Sequence, residues 1–533
     1  MNAAEAIDRL EPTRWASVSP AERLHLLEEV RGRMREFADE LAAADTKMKN
    51  DLMGEPLFGD PMSLIATIVP LANTVTACIE LYESIVHGHM PEPIAVRNVR
   101  DDLYEVQVFP KSSKDKLMNA DRHDSLWIRG TPKQTNPMEK PPGIIAVLGA
   151  GNYSSSLEMV KAMFLENCAV VHKPHHLNGE TDAVWEKIMQ PLVEIGALSF
   201  CSSDQGRVLT KDPRLSKIYF TGGTQTAEAI MKATDTELVS ECGGNNPCII
   251  VPGDRPWTEK ELEHQALQIA TISKLNGGAV CGRIQTLVVS KHWPQRQQFM
   301  RALEKAIEED TPAAGTYYPG SAEVAKRFKD AYPHAKVLKP EGGKFRNGDF
   351  VVIEDAEEDG FATQNEAFCQ IMNEVALDVP AEAEAFLPAA VEFCNTKLLG
   401  TLGSSILIDE DTKAAHAEAL DAAVADMEYG GIAVNTMPPF IFLSPYLTWG
   451  GNEEGKAFVS GRGNFGNLLC FENVEKSVIH DSFMSAGHML NVNKHAFDSL
   501  AKNMARFSMN PSWMNMTRLI GAAVAGGLRH KDF

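Results

Sequence analysis

From residue 143 onward, short apolar runs alternate with stretches of helical spacing. GIIAVLG, CAVVHKP, ALSFC, KIYFTGG, ELVSE and PCIIVPG read as buried strands. Ser155 to Glu166, Glu180 to Ile195 and Thr224 to Ala233 read as the helices between them. Such alternation predicts a doubly wound parallel sheet of the α/β class. A second αβ series follows from about 257. Glu259 to Leu275, Gln295 to Glu309, Pro388 to Asn395 and Lys413 to Met427 are predicted helices. GRIQTLVVS, DFVVIED, EVALDVP and GSSILIDE are predicted strands. Residues beyond about 430 are irregular, aromatic and rich in Gly and Pro.

Upstream, residues 3 to 50 carry apolar positions three and four apart, as a helix does, and Ser19-Pro20 marks a helix start. Residues 91 to 140 predict an excursion in strands and loops. Two long uncharged runs, Met62 to Ile79 and Tyr429 to Asn452, contain prolines and polar residues. Each is expected to be buried protein, with a single apolar helix disfavoured. The tail MTRLIGAAVAGGLRHKDF reads as a buried segment, a dimer contact or a weak membrane contact. No transmembrane segment is expected.

Composition changes this picture little. The chain has 533 residues with 44% hydrophobic and 23% charged, an ordinary globular balance. Its net charge of −21 argues against nucleic-acid binding, which needs a basic face. The nine cysteines are scattered without CxxC spacing, so neither a disulfide framework nor a structural zinc site is expected. Free thiols and an N-terminus without a secretory signal fit a cytoplasmic protein.

Ligands of doubly wound sheets bind beyond the carboxyl ends of strands. The residues there are Gly149-Ala150-Gly151-Asn152, His172-Lys173-Pro174, Thr221-Gly222-Gly223 and Glu241-Cys242-Gly243-Gly244. Glu241 is placed for general-base work or for a structural ion pair. Asn152 could donate to an oxyanion or serve the turn. Lys173 could hold phosphate or ribose, or lie in solvent. Cys281, in LNGGAVCGR, is either a buried structural cysteine or an exposed nucleophile whose pKa a helix N-terminus or cation would lower. The adjacent His175 and His176 point apart, so no metal is expected. The ordinary GxGxxG fingerprint is absent.

In order and spacing, these pieces resemble the aldehyde dehydrogenase superfamily over roughly residues 15 to 480. Gly151-Asn152 stands in the family's Trp-Asn place, and Lys173-Pro174 matches its Lys-Pro. Phe220 to Gly223 resembles Phe-Thr-Gly-Ser, and Glu241 to Gly244 resembles Glu-Leu-Gly-Gly. Gly278 to Cys281 resembles Gly-Gln-x-Cys, Glu366 to Gln370 resembles Glu-x-Phe-Gly-Pro, and Gly430 to Asn435 resembles Gly-x-x-x-Val-Asn. The resemblance implies a Rossmann-type cofactor domain (1–95 and 129–252), an α/β catalytic domain (253–450), and an oligomerisation and C-terminal part (96–128 and 451–533).

It further implies NAD(P)-dependent oxidation of an aldehyde. Cys281 would be the nucleophile, Asn152 an oxyanion donor and Glu241 the base that activates water. Lys173 and Glu366 would bind the ribose groups, Phe368 would pack near the nicotinamide, and Gly222 and Gly223 would lie under the pyrophosphate. Departures occur at Gly223, Ala279 and Cys369-Gln370, the last bearing on the geometry of the Glu366 loop. His176 stands where NAD-preferring members often carry Glu, so NADP is expected to be tolerated or preferred. MPPFIFLSPYLTWGG is expected to line an apolar substrate tunnel or an ordinary hydrophobic interface. A homodimer or homotetramer is implied. The alternatives are a CoA-acylating relative, an acyl-thioester reductase, or a catalytically silent member.

Overall fold

The computed structural model describes residues 1–119, 121–153, 156–453, 455–463, 465–485 and 494–529. Three strands come first, β1 (Ala95–Arg100), β2 (Leu103–Phe109) and β3 (His123–Arg129). The next five are β4 (Ile144–Leu148), β5 (Ala169–Lys173), β6 (Leu198–Phe200), β7 (Lys217–Thr221) and β8 (Glu237–Glu241). They form a parallel sheet in the order β6-β5-β4-β7-β8. Both faces of this sheet are covered, so β4 reads as an unbroken apolar run. Its register pairs Leu148 with Lys173 and with Phe220, and Thr221 with Glu241. The strand ends that carry the candidate chemistry therefore lie along one edge.

The remaining strands are β9 (Asn246–Ile250), β10 (Ile284–Ser290), β11 (Lys336–Leu338), β12 (Phe350–Ile353), β13 (Ile371–Leu377), β14 (Gly403–Leu407), β15 (Gly431–Val434), β16 (Thr448–Trp449), β17 (Phe465–Gly466) and β18 (Val474–His480). β16 and β17 pair as a short ribbon. The others join β1 to β3 in an 11-stranded sheet ordered β1-β2-β3-β18-β15-β14-β9-β10-β13-β12-β11.

Two domain boundaries differ from the sequence expectation. β9, placed in the cofactor part by a boundary at 252, lies between β10 and β14 in the larger sheet. Only four residues separate β8 from β9, and they carry the chain from one sheet to the other. The excursion at 96–128 is likewise not a separate piece. β3 runs antiparallel to β18, and β18 runs parallel to β15. β1 to β3 are thereby joined through β18 to the larger sheet.

Helix Pro20–Met53 starts at a capping box of Ser19 and Glu22, as the Ser-Pro signal predicts. The run from Met62 is buried as expected, but it lies in one continuous helix, Asp60–Val86, with Pro70 inside. By length and composition this helix could cross a membrane, yet 72% of its most apolar window is buried inside the protein. It packs against Pro20–Met53 and against a C-terminal helix, Lys494–Met509, which the sequence reading did not identify. Packing on both flanks compensates for the hydrogen bond that the proline removes. The tail forms a second helix, Trp513–Arg529. It buries Met516 and Leu519 and exposes Trp513, Met514, Ile520 and Val524. Residues 530–533 of that tail lie outside the described residues.

Candidate active site

After helix Glu259–Lys274 the chain turns sharply, with Asn276, Gly277 and Gly278 at φ 51°, 65° and 81°. A Cβ on Gly277 would fall 2.1 Å from the Gly315 carbonyl oxygen, and one on Gly278 would fall 2.6 Å from the Cys369 carbonyl carbon. The paired glycines thus let the cysteine loop sit between two other loops. Asn276 Nδ2 lies 3.1 Å from the carbonyl oxygens of Asn152 and Ala279 and from the Tyr317 hydroxyl. Asn246, at the start of β9, donates to the carbonyls of Cys281 (2.6 Å) and Arg283 (2.9 Å). The backbone on both sides of the nucleophile candidate is therefore anchored.

Cys281 is half-buried, and its thiol lies near the Glu241 carboxylate. Trp449 Nε1–H donates to Glu241 Oε1 at 3.4 Å. Burial pushes the Glu241 pKa up to about 7. Burial, then the nearby Glu241 and Glu366 charges, push the Cys281 thiol well above its ordinary value. This reverses the expectation of a cation-lowered thiolate. The cation bordering the site, Arg283, is turned to backbone carbonyls of Ile284 (3.3 Å) and Ile371 (2.5 Å). The resting cysteine is a thiol with a base beside it.

Asn152 faces the same cavity as Cys281, with its amide donating to the Ala279 carbonyl at 3.1 Å. Glu366 accepts from the Gly244 N–H, and burial raises its pKa to about 7. A Cβ on Gly243 would strike the Glu366 carboxylate at 2.3 Å, so this glycine makes the approach possible. The Glu366 loop holds its place despite Cys369-Gln370. Gln285 takes the Ala367 N–H (2.8 Å) and donates to the Asn365 carbonyl (2.7 Å). Phe368, at φ 49°, sets its ring edge-on to Tyr318 with centroids 5.1 Å apart.

The outer edge suits a dinucleotide. Gly222 and Gly223 are exposed at the N-terminus of helix Thr224–Ala233, and a Cβ on Gly223 would meet nothing within 4 Å. The helix dipole there favours an anion. Lys173 is half-buried next to this turn's neighbouring strand end. His175 sits against Gly151, and burial with the adjacent His176 and Lys173 lowers its pKa to about 4. His176 is exposed. Among the described residues no group of three His, Cys, Asp or Glu could hold a metal ion.

The aldehyde dehydrogenase family profile matches residues 111–316. An aldehyde dehydrogenase of Paracoccus denitrificans is 22% identical over 344 residues, 63% of this chain and 59% of that relative's length. The chain is similar to the aldehyde dehydrogenase family over these residues. Lactaldehyde dehydrogenase from Escherichia coli superposes with a TM-score of 0.62 at 17% identity, covering 90% of this chain and 91% of the other. Glyceraldehyde-3-phosphate dehydrogenase from Methanocaldococcus jannaschii, solved with NADP, gives 0.62 at 16% identity, covering 90% and 94%.

A cavity of about 90 Å³ opens beside Cys281. Ile65 and Pro70 of the long buried helix line one side, and Phe440, Phe442, Leu443 and Trp449 line another. Apart from Asn152, Asn276, Tyr153 and Cys281 its wall is apolar. The aromatic segment expected to form a tunnel does reach the nucleophile candidate. Sequence reading missed Asn246, Asn276, Trp449 and Tyr153. The signal for Asn276 was only a polar residue beside a glycine, and Asn246 had only a proline after it. Nothing in local spacing marks a tryptophan that will meet a carboxylate 208 residues away.

Proposed function

We propose that this protein is an NAD(P)-dependent aldehyde dehydrogenase that oxidises an uncharged, apolar aldehyde to the free carboxylic acid. The observation that carries this reading is the Cys281 thiol near buried Glu241 at an apolar cavity. The cofactor fits the exposed Gly222-Gly223 turn, where the N-terminus of helix Thr224–Ala233 favours an anion and a Cβ on Gly223 would meet open space. Lys173 and Glu366 would hold its ribose groups, and exposed His176 leaves the 2′ position without a repelling carboxylate. NADP is accordingly accepted along with NAD.

Cys281 Sγ attacks the aldehyde carbon as its proton passes to Glu241. The Cys281 N–H and the Asn152 amide, released from Ala279, stabilise the oxyanion. A nicotinamide held by these residues would supply the hydride acceptor for collapse of the adduct. A thioester remains on Cys281. Glu241, ionised again, takes a proton from water as that water attacks the thioester, releasing the acid. A CoA acceptor would make this base unnecessary.

The test is reduced-nicotinamide formation with hexanal, benzaldehyde and glyceraldehyde, using NAD or NADP, with and without CoA. CoA-independent turnover of hexanal or benzaldehyde, abolished by Cys281→Ser, is expected. Turnover only with CoA, or none with any aldehyde, overturns the reading.

A further inference from the structure

The C-terminal helix Trp513–Arg529 turns one face inward and one outward. Met516 and Leu519 are buried, and a Cβ on Gly526 would fall 2.7 Å from that of Ala496, so this side packs closely on helix Lys494–Met509. The outward face is apolar as well. Trp513, Ile520 and Val524 follow one another at helical spacing, with Met514 beside them. Trp513, Met514 and Val524 are 55%, 61% and 55% exposed. Thr517, Gly521 and Ala525 are the exposed residues between them. Leu117, 61% exposed, lies on helix Ser113–Met118, which meets the start of the C-terminal helix. Lys114 of that short helix donates to the Pro511 carbonyl at 2.5 Å and stands 5.8 Å from the Trp513 ring centroid. Single exposed apolar residues are ordinary, but a contiguous apolar stripe marks a surface that something covers.

The charges around the stripe say what covers it. The chain carries a net charge of −21, yet from Lys494 to Arg529 it has five Lys and Arg and one acid, Asp498. Helix Trp513–Arg529 has no Asp or Glu. Arg518, one turn after Met514, is exposed at the border of the stripe. Lys116 is exposed beside Leu117, and Lys502 and Arg506 are exposed on the neighbouring helix. Asp115 is occupied in capping its own helix, accepting from the Ser112 N–H at 2.8 Å. Two copies of the chain paired through this stripe would bring like charges together, with no acid on the helix to meet them. A helix of 17 residues with one face packed on protein cannot cross a bilayer, but it can lie in the plane of one.

We propose that this face is a docking surface for an anionic bilayer. Trp513, Met514, Ile520 and Val524 enter the boundary between headgroups and acyl chains, and Arg518 and Lys116 meet the headgroup phosphates. Helix Lys494–Met509, which carries the docking helix, packs on Asp60–Val86, whose Ile65 and Pro70 line the cavity beside Cys281. Docking would place an enzyme for apolar aldehydes where such molecules concentrate. The docking itself does not depend on that reading.

The test floats the full-length protein on a density gradient with vesicles. One set is phosphatidylcholine alone, and the other is three parts phosphatidylcholine to one part phosphatidylglycerol. The wild type is expected to bind the anionic vesicles at least ten-fold more tightly than the neutral ones. Most of that preference should vanish at about 1 M salt, where the Debye length falls to about 3 Å. Trp513→Asp, and separately Lys116→Glu combined with Arg518→Glu, are each expected to weaken anionic-vesicle binding at least ten-fold with wild-type melting behaviour. Cys281→Ser is expected to bind as the wild type does, so failure of the catalytic reading and failure of docking are told apart. No flotation of the wild type, equal binding to both vesicles, or binding unchanged by Trp513→Asp overturns the proposal. A wild-type dimer that falls to monomers in Trp513→Asp, seen by sedimentation velocity, assigns the face to a second copy and also overturns it. If a variant does not fold, the neutral-against-anionic comparison on the unaltered protein decides.

Discussion

The side-chain amide of Asn246 donates to the carbonyl of Cys281 at 2.6 Å and, through the same nitrogen, to that of Arg283 at 2.9 Å. Its oxygen accepts from the Gly403 N–H at 3.1 Å. One side chain at the head of β9 therefore ties the cysteine turn to β14. Asn246→Ala strands three buried polar groups, at about 1–3 kcal/mol for each one left unsatisfied. The variant is expected to unfold at lower urea concentration by at least about 2 kcal/mol. The burst with p-nitrophenyl acetate, which acylates a nucleophilic thiol without cofactor, is expected to slow more than ten-fold.

Two glycines near the site should respond oppositely to a methyl group. Gly278→Ala puts a Cβ 2.6 Å from the Cys369 backbone at φ 81°. It is expected to destabilise by about 1–3 kcal/mol and to abolish the burst. Gly223→Ala meets open space at φ −72°, so stability should change by less than about 0.5 kcal/mol. Thermal unfolding and burst titration check both.

Glu241 carries opposite pH signatures in rate and stability. As a base it must be ionised, so deacylation is expected to rise as pH passes through about 7. The folded state keeps its proton up to about pH 7, whereas the unfolded state loses it near 4.5. Stability from this group is thus present at low pH and falls between those values. Glu241→Gln is expected to be more stable than the wild type by about 1–3 kcal/mol above pH 7, the gain vanishing toward pH 4.5. Urea melts at several pH values test this. A pH-independent difference would contradict it.

Cavity length should set chain-length preference. Phe442 lines the cavity beside Cys281 and packs on Trp449, with centroids 6.3 Å apart. Phe442→Ala lengthens the cavity. A methylene in such a site is worth about 1–3 kcal/mol, so the ratio of kcat/KM for decanal to that for hexanal should rise at least ten-fold. An unchanged ratio would place the substrate elsewhere.

On the proposed reading, the exposed His176 would bear on cofactor choice. His176→Glu brings a carboxylate toward a 2′-phosphate. It is expected to lower kcat/KM for NADP about ten-fold or more while changing that for NAD less than about three-fold, at low ionic strength. Initial rates with each cofactor decide.

Local spacing was enough to find the strands from β4 to β8, the helices between them and the loop LNGGAVC. These depend on periodicity and on glycine at turns, which neighbouring residues reveal. The order of strand ends placed Lys173, Gly222 and Glu241 along one edge of the sheet, as the register shows. Tertiary structure alone decided which sheet β9 joins, because an apolar run carries no mark of its pairing partner. It alone carried the helix through Pro70, where packing on two flanks outweighs a lost hydrogen bond. It also set the state of Cys281. Glu241 and Glu366, far apart in sequence, converge beside a desolvated thiol and raise its pKa. Burial and the distance between charges are properties of the folded chain, and no local window of residues contains them.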